Sequence, residues 1–183
     1  MELKEALETR RSIFRFKPEQ PDPAKIKQAI EHARWAPNHH LTEPWRFYEL
    51  GPQVRKVLEE IVFELTKQKK GEKKAEQKVE KIRACPVFII VTWERSPDNP
   101  QRDREDYAAT CCAIQNMQLS LWEQGIGAKW GTGGVTRDDR FYKAMQIDRN
   151  KEEIAGMFWV GIPQVVPRSK RDKAVGDIFH CTA

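Results

Sequence analysis

One long uncharged stretch stands out in the pattern of apolar and polar positions along the chain. Residues 107–122 carry no charge, although 32% of all residues are charged. The apolar residues of this stretch fall on every face of a helix, which predicts a helix that is buried all round. The stretch is too short and too polar to cross a bilayer, which takes about 20 apolar residues. Either it is an ordinary core helix, or a second subunit covers it.

Shorter patterns predict the elements around this helix. A first helix covers residues 2–9, and a second begins with Asp22 as its N-cap and Pro23 as its first residue. The second helix ends before Pro37, because the residue before a proline is disfavoured in helical conformation. Apolar runs predict strands at residues 45–50, 86–93 and 128–130.

Length and cysteine usage indicate the class of protein. A chain of 183 residues is expected to form one domain over residues 1–183. No export signal and no transmembrane run is visible, so no membrane association is expected. The four cysteines have no C-x-x-C spacing, and two of them are adjacent in the uncharged helix. This argues against a zinc site and a disulfide framework, and it favours a reducing cytoplasm.

The net charge of +5 comes from one segment. Residues 67–83 contain eight Lys or Arg and three Glu, and the rest of the chain is neutral. The glutamates recur every four residues, so the segment is expected to be a solvated or mobile helix. A nucleic-acid-binding module would need aromatic side chains between the basic ones to stack on bases, and this segment has none. No nucleic-acid partner is therefore expected.

Two other segments carry candidate chemistry. Arg10, Arg11 and Ser12 together offer two guanidiniums and a hydroxyl, which suits a phosphate, although paired arginines at a helix end need no ligand. His39 and His40 suggest a metal, but adjacent side chains in a loop seldom reach one ion, and no further set of ligands has suitable spacing. No metal site is expected.

The glycines at positions 125–134 do not form a dinucleotide-binding fingerprint. Such a fingerprint follows a strand and opens a helix. Here Gly125 and Gly127 follow the uncharged helix and lead into a strand.

Taken in order, these motifs resemble the nitroreductase family of FMN-dependent oxidoreductases. The resemblance spans nearly the whole chain and rests on Arg10-Arg11-Ser12, APNH at 36–39, PWRF at 44–47, QNMQ at 115–118, GIGAKWGTG at 125–133 and FWVGIP at 158–163. It implies an α+β fold with a mixed, mainly antiparallel sheet flanked by helices, and residues 158–163 resemble the last core strand of that sheet. It also implies an intertwined homodimer whose central helix is the uncharged one.

The resemblance implies an FMN phosphate site made by two parts of the chain. Arg10, Arg11 and Ser12 would hold the phosphate and ribityl chain, and Arg168 and Lys170 would complete a cage around the phosphate. For Arg168 and Lys170, a plain charged tail remains an alternative.

Around the flavin ring, the resemblance implies contacts from two subunits. The neighbouring subunit would contribute Trp35, Pro37, Asn38 and His39. An indole at position 35 departs from the family pattern, which puts the role of Trp35 in doubt. Backbone amides near the isoalloxazine ring would come from Gly131, Thr132 and Gly133, where glycine lets the main chain approach closely.

The implied function is a reductase whose chemistry belongs to the cofactor. Flavin N5 would accept a hydride from NADH or NADPH and pass electrons to a small planar acceptor, a nitroaromatic or a quinone, in two half-reactions. No catalytic acid or base among the side chains is expected. Two alternatives remain: a flavin-binding relative without reductase turnover and, less favoured, a basic nucleic-acid-binding module.

Overall fold

The computed structural model describes residues 1–182, which form six helices, four strands and three short 3₁₀ turns. The helices are α1 (Leu3–Thr9), α2 (Pro23–Ala33), α3 (Pro52–Lys70), α4 (Glu72–Arg83), α5 (Pro100–Glu123) and α6 (Asp139–Met145). The strands are β1 (Trp45–Glu49), β2 (Val87–Glu94), β3 (Gly127–Gly131) and β4 (Glu152–Gly161). The 3₁₀ turns are His39–Leu41, Gly134–Arg137 and Val175–Asp177.

The four strands form one sheet in the order β1-β2-β4-β3, and all neighbours are antiparallel. Trp45 lies opposite Trp93, and Ala128 lies opposite Val160. One parallel bridge, from Ser12 to Ala128, adds the only parallel pairing among the described residues. The predicted α+β fold with a mixed, mainly antiparallel sheet is confirmed.

Helices cover both faces of the sheet, and β2 shows why. Val87, Ile89 and Val91 point to the face that packs against α2 and α5. Phe88 and Ile90 point to the other face, which packs against α3, α4 and α6. Because successive side chains of a strand alternate between faces, a strand buried on both faces must be apolar throughout.

The uncharged helix is longer than predicted and has an open face. It begins at Pro100, where the Asn99 side chain accepts a hydrogen bond from the Arg102 amide (3.1 Å). One side packs into the core, but the expectation of burial on every face is wrong within a single chain. We call the solvent-facing side of α5 the open stripe; it consists of Ala108, Cys111, Cys112, Gln115 and Leu119. No helix of the described residues is long and apolar enough to cross a membrane.

The basic segment at 67–83 comprises the end of α3, Gly71 and α4. Gly71 has a φ of 83°, which only glycine adopts without strain, and this allows the sharp turn between the helices. Ala75, Val79 and Ile82 of α4 are buried. The lysines therefore lie on the outer faces of an amphipathic helix.

After α1, the chain docks along the outer edge of β3. The Ile13 amide donates to the Ala128 carbonyl (3.1 Å), and the Lys17 amide donates to the Ile162 carbonyl (2.9 Å). Ile13 is fully buried. An added Cβ at Gly127 would overlap Ile13, so glycine at this position lets the segment pack directly on the strand.

Candidate functional site

A cluster of guanidinium groups lies at the β3 edge of the sheet. Burial lowers the pKa of Arg10, and the charges of Arg171 and Arg11 lower it further. Arg11 donates to the backbone carbonyls of Glu8 and Arg10. Within residues 1–182, neither Arg10 nor Arg11 pairs with a carboxylate. Cationic side chains that lie close together without a carboxylate partner are suited to binding an anion such as phosphate.

Of the predicted C-terminal pair, the structure places one residue in a different contact. Lys170 Nζ lies 2.8 Å from Asp172 Oδ1, and both side chains are exposed. Arg168 lies in the same exposed segment. The C-terminal residue whose charge lowers the pKa of Arg10 is Arg171. Arg171 was not among the site residues predicted from the sequence. Adjacent basic residues in an irregular segment do not reveal which of their charges acts on Arg10.

The glycine loop follows β3 on the same edge strand. Gly131 pairs with Met157, and the chain then passes through Thr132 and Gly133 into a 3₁₀ turn. The amides of Thr132 and Gly133 donate no backbone hydrogen bond to any described residue. Both residues are exposed, so two donors are available to acceptor atoms of a ligand.

Beside this loop is a cavity of about 170 Å³ that Lys129 enters. Lys129 Nζ lies 3.7 Å from the centre of the Trp159 ring, a cation–π contact. Burial, together with the charges of Lys78 and Lys81, lowers the pKa of Lys129 to about 8. Lys129 was not predicted from the sequence, although it is the single cation in the run from Gly125 to Gly133.

The loop before β1 is held in a strained shape. Asn38 Oδ1 accepts from the Glu43 amide (2.6 Å), and Asn38 Nδ2 donates to Thr42 Oγ1 (2.8 Å). Thr42 Oγ1 in turn donates to Asp106 Oδ1 on α5 (2.6 Å). His40, Leu41 and Glu43 have positive φ values. Such conformations cost about 1–3 kcal/mol each and cluster at functional sites.

The predicted flavin contacts in this region face solvent. His39 Nδ1 lies 3.0 Å from Glu105 Oε2, and the His39 ring stacks on His40 with ring centres 3.9 Å apart. Pro37 is exposed, and Trp35 and Leu41 are 80% and 82% exposed. Large apolar side chains exposed together are typical of an interaction surface.

The two halves of the predicted site lie at opposite edges of the sheet. Arg10 to Ser12 and residues 131–133 are at the β3 edge, whereas residues 35–39 precede β1 at the other edge. Three strand spacings separate these edges, about 14 Å of intervening sheet. The structure thus places Arg10, Arg11, Ser12 and the glycine loop on one edge, and residues 35–39 do not join them within one chain.

Comparisons with known proteins identify the family to which this fold belongs. The family model of the Nitroreductase family matches residues 7–162. A Bacillus subtilis (strain 168) protein, provisionally named NAD(P)H nitroreductase YfhC, is 33% identical over 181 residues. The alignment covers 97% of this chain and 92% of that protein.

Two solved structures are similar to this chain over nearly their full length. A nitroreductase-like family protein from Bacillus cereus superposes with a TM-score of 0.86 at 28% identity, covering 100% of this chain and 96% of that one. A provisionally assigned nitroreductase from Desulfovibrio desulfuricans, solved in complex with FMN, has a TM-score of 0.78 at 21% identity, with coverage of 98% and 96%. The sequence motifs, the fold and these comparisons agree: the chain belongs to the nitroreductase family.

Proposed function

We propose that this protein is an FMN-dependent oxidoreductase that transfers electrons from NAD(P)H to nitroaromatic or quinone-type acceptors. The observation that carries the proposal is the cluster of Arg10, Arg11 and Arg171 without a carboxylate partner. The available amides of Thr132 and Gly133 lie on the same edge strand. A phosphate with a planar, acceptor-rich ring attached to it matches both features.

In this proposal each group of residues has a separate role. Arg10, Arg11, Ser12 and Arg171 hold the phosphate end of FMN, with Arg168 and Lys170 nearby in the chain. The backbone of Gly131, Thr132 and Gly133 orients the isoalloxazine ring. FMN, when bound, supplies the redox chemistry, since its N5 accepts a hydride from a nicotinamide. The protein binds, orients and shields; no side chain is required as an acid or base.

We further propose that the working unit is an intertwined homodimer. The open stripe of α5 is uncharged, and covering it would bury apolar surface that a single chain leaves in water. A second copy could then bring Trp35, Pro37, Asn38 and His39 to the flavin ring. Cys111 and Cys112 would lie in the interface as free thiols, which supports a reducing cytoplasm as the compartment.

The kinetic scheme proposed is ping-pong. The dinucleotide and the electron acceptor use the same exposed flavin face in turn, so the first product leaves before the second substrate binds. Initial rates measured at several acceptor concentrations should then give parallel lines in double-reciprocal plots. Intersecting lines would indicate a ternary complex and would contradict the scheme.

The absorbance spectrum of the purified protein tests the main proposal. We expect the bands of oxidised flavin, bleached by NADH or NADPH in the absence of air and restored by a quinone. A protein that neither carries nor takes up FMN would overturn the assignment. A protein that holds FMN but is not bleached by either dinucleotide would be a flavin-binding relative without reductase activity.

A further inference from the structure

A second, strongly basic concavity lies beside the glycine loop. It is a groove of about 350 Å³ between the C-terminal end of α3 and the outer face of α4. We call it the lysine groove, after the five side chains that line it: Lys69, Lys70, Lys74, Lys78 and Lys81. A groove of this size fits part of a nucleotide.

All the charged residues of α4 that line the groove are lysines. Lys74, Lys78 and Lys81 are spaced i, i+4 and i+7, which places them on one helical face toward the groove. The glutamates of α4 do not line the groove. Glu72 pairs instead with Lys67 (3.1 Å). Among the described residues, none of the five groove lysines pairs with a carboxylate.

Helix stability does not explain this arrangement. Lys69 and Lys70 sit at the C-terminal end of α3, where the helix dipole favours cations, but Lys74 sits in the first turn of α4, where the dipole disfavours them. Burial lowers the pKa of Lys78, and the charges of Lys81 and Lys70 lower it further. Like charges held together at a cost to the fold are typical of a site that binds an anion.

The lysine groove is continuous with the cavity at the glycine loop. Leu65, Thr66, Lys78 and Gly134 line both. One end of the groove therefore opens where the proposed function places the flavin ring. An anion in the groove would belong to a molecule whose other end can reach that ring.

We propose that the lysine groove binds the phosphates of the reducing dinucleotide and makes the enzyme prefer NADPH to NADH. This inference rests on the proposed function. NADPH differs from NADH by one phosphate on the adenosine ribose, far from the nicotinamide that must reach the flavin. Lysine ammonium groups are point charges that bind phosphate well without a fixed orientation, so several of them along a groove suit a flexible polyphosphate.

Binding of adenosine 2′,5′-bisphosphate, measured by calorimetry, tests the groove without any turnover. The wild-type protein should bind this probe more tightly than adenosine 5′-monophosphate, and high salt should weaken binding. The double variant Lys74→Glu/Lys81→Glu should bind it at least about tenfold more weakly, the loss expected for charge-assisted contacts. Lys73→Glu is the matched control, because Lys73 is exposed on α4 and does not line the groove.

Turnover separates this inference from the proposed function. The double variant should raise KM for NADPH about tenfold and keep its FMN. It should raise KM for NADH by a clearly smaller factor, because NADH has the pyrophosphate but lacks the additional phosphate. If neither dinucleotide reduces the flavin, the proposed function fails, and the binding assay still decides what the groove does. Equal probe affinity in the double variant and Lys73→Glu would overturn the inference. So would a groove that retains a single-stranded DNA oligonucleotide but not the probe.

Discussion

The Arg10 side chain lies among cations, and this makes it the residue on which flavin retention should depend most. Arg10→Ala removes a charge-assisted contact worth about 1.5–3 kcal/mol, so the dissociation constant for FMN should rise roughly 10- to 100-fold. Quenching of FMN fluorescence on titration with protein measures it.

Arg15→Ala is the control for Arg10, because Arg15 lies in the same docked segment with an exposed side chain. It should leave FMN affinity close to that of the wild type. Equal affinity in Arg10→Ala and wild type would place the phosphate elsewhere on the molecule.

Lys129 should make stability depend on pH in a defined window. Burial and the neighbouring charges of Lys78 and Lys81 lower its pKa from 10.5 to about 8, while the nearby Cys85 opposes the shift. Between these two values the unfolded chain binds more protons than the folded one, so the free energy of unfolding should rise with pH. Below about pH 8 the lysine is charged in both states, and its penalty is constant.

Lys129→Met removes this titration and keeps most of the volume of the side chain. Urea unfolding of the flavin-free protein at several pH values should show the wild type gaining stability relative to Lys129→Met as pH rises above 8. A constant difference between the two proteins across this range would contradict the lowered pKa.

At the residue scale, the motifs predicted groups of side chains that are neighbours in sequence. The structure added contacts between side chains on different strands. Arg10, Arg11 and Ser12 could be proposed because three neighbouring side chains suit one phosphate. The contact of Lys129 with Trp159 depends on the register of β3 against β4, where these residues lie opposite each other. Register follows from the tertiary packing of both strands, so no local pattern contained it.

Among the elements, the segment that carries Arg10 to Ser12 depends on one glycine in β3. Gly127→Ala would place a Cβ against Ile13 and Pro163, which should push the segment off the strand. Overpacking of this kind typically costs about 1–3 kcal/mol, and FMN affinity should fall together with stability. Chemical denaturation and flavin titration measure the two effects.

Gly176→Ala serves as the comparison for Gly127→Ala. An added Cβ at Gly176 meets no atom within 4 Å, so the same chemical change should have little effect there. Wild-type stability in Gly127→Ala would show that the segment can shift without loss.

Element boundaries were less predictable than element types. Strand β4 begins at Glu152, six residues before the predicted strand, because tertiary contacts accommodate its charged start. Tyr48 and Thr92 both donate to Glu152 Oε2, at 2.8 Å and 2.6 Å. Thr92 lies on β2, which is next to β4 in the sheet, and Tyr48 lies on β1, on the far side of β2. Because both donors are distant from Glu152 in sequence, the local pattern could not reveal this contact.

The whole molecule should contain sites that two chains complete, and mixed dimers can test this. Arg10→Ala damages the phosphate side, and Asn38→Ala removes the hydrogen bonds that shape the opposite loop. Both homodimers should lose FMN. A heterodimer of the two, isolated with two affinity tags, should recover one intact site and about half of the wild-type flavin content.

Light scattering supplies the control for the mixed dimers. The wild type, the two variant homodimers and the heterodimer should all have the mass of a dimer of 21.4 kDa chains. A heterodimer as empty as both homodimers would mean that one chain contributes both halves of its site. A flavin-loaded wild-type monomer would exclude the shared site altogether.

The overall plan was predictable because motifs along nearly the whole chain occurred in a consistent order. The open stripe of α5 shows where such reasoning stops. The absence of charge from residues 107–122 correctly predicted a helix. It did not show which face of the helix packs within the chain and which face the chain leaves open. That distinction depends on how α2 and the sheet are placed around α5.

The docking of residues 12–17 on β3 and on the end of β4 also sets an order of events during synthesis. Residues 12–17 leave the ribosome long before Ala128, which pairs with Ser12, and Ile162, whose carbonyl accepts from Lys17. Until β3 and β4 have been made and paired, there is no sheet edge that can hold Arg10 and Arg11 in place. Under the proposed function, the nascent chain would carry its phosphate ligands from the start but would acquire affinity for FMN only after β4 has been translated.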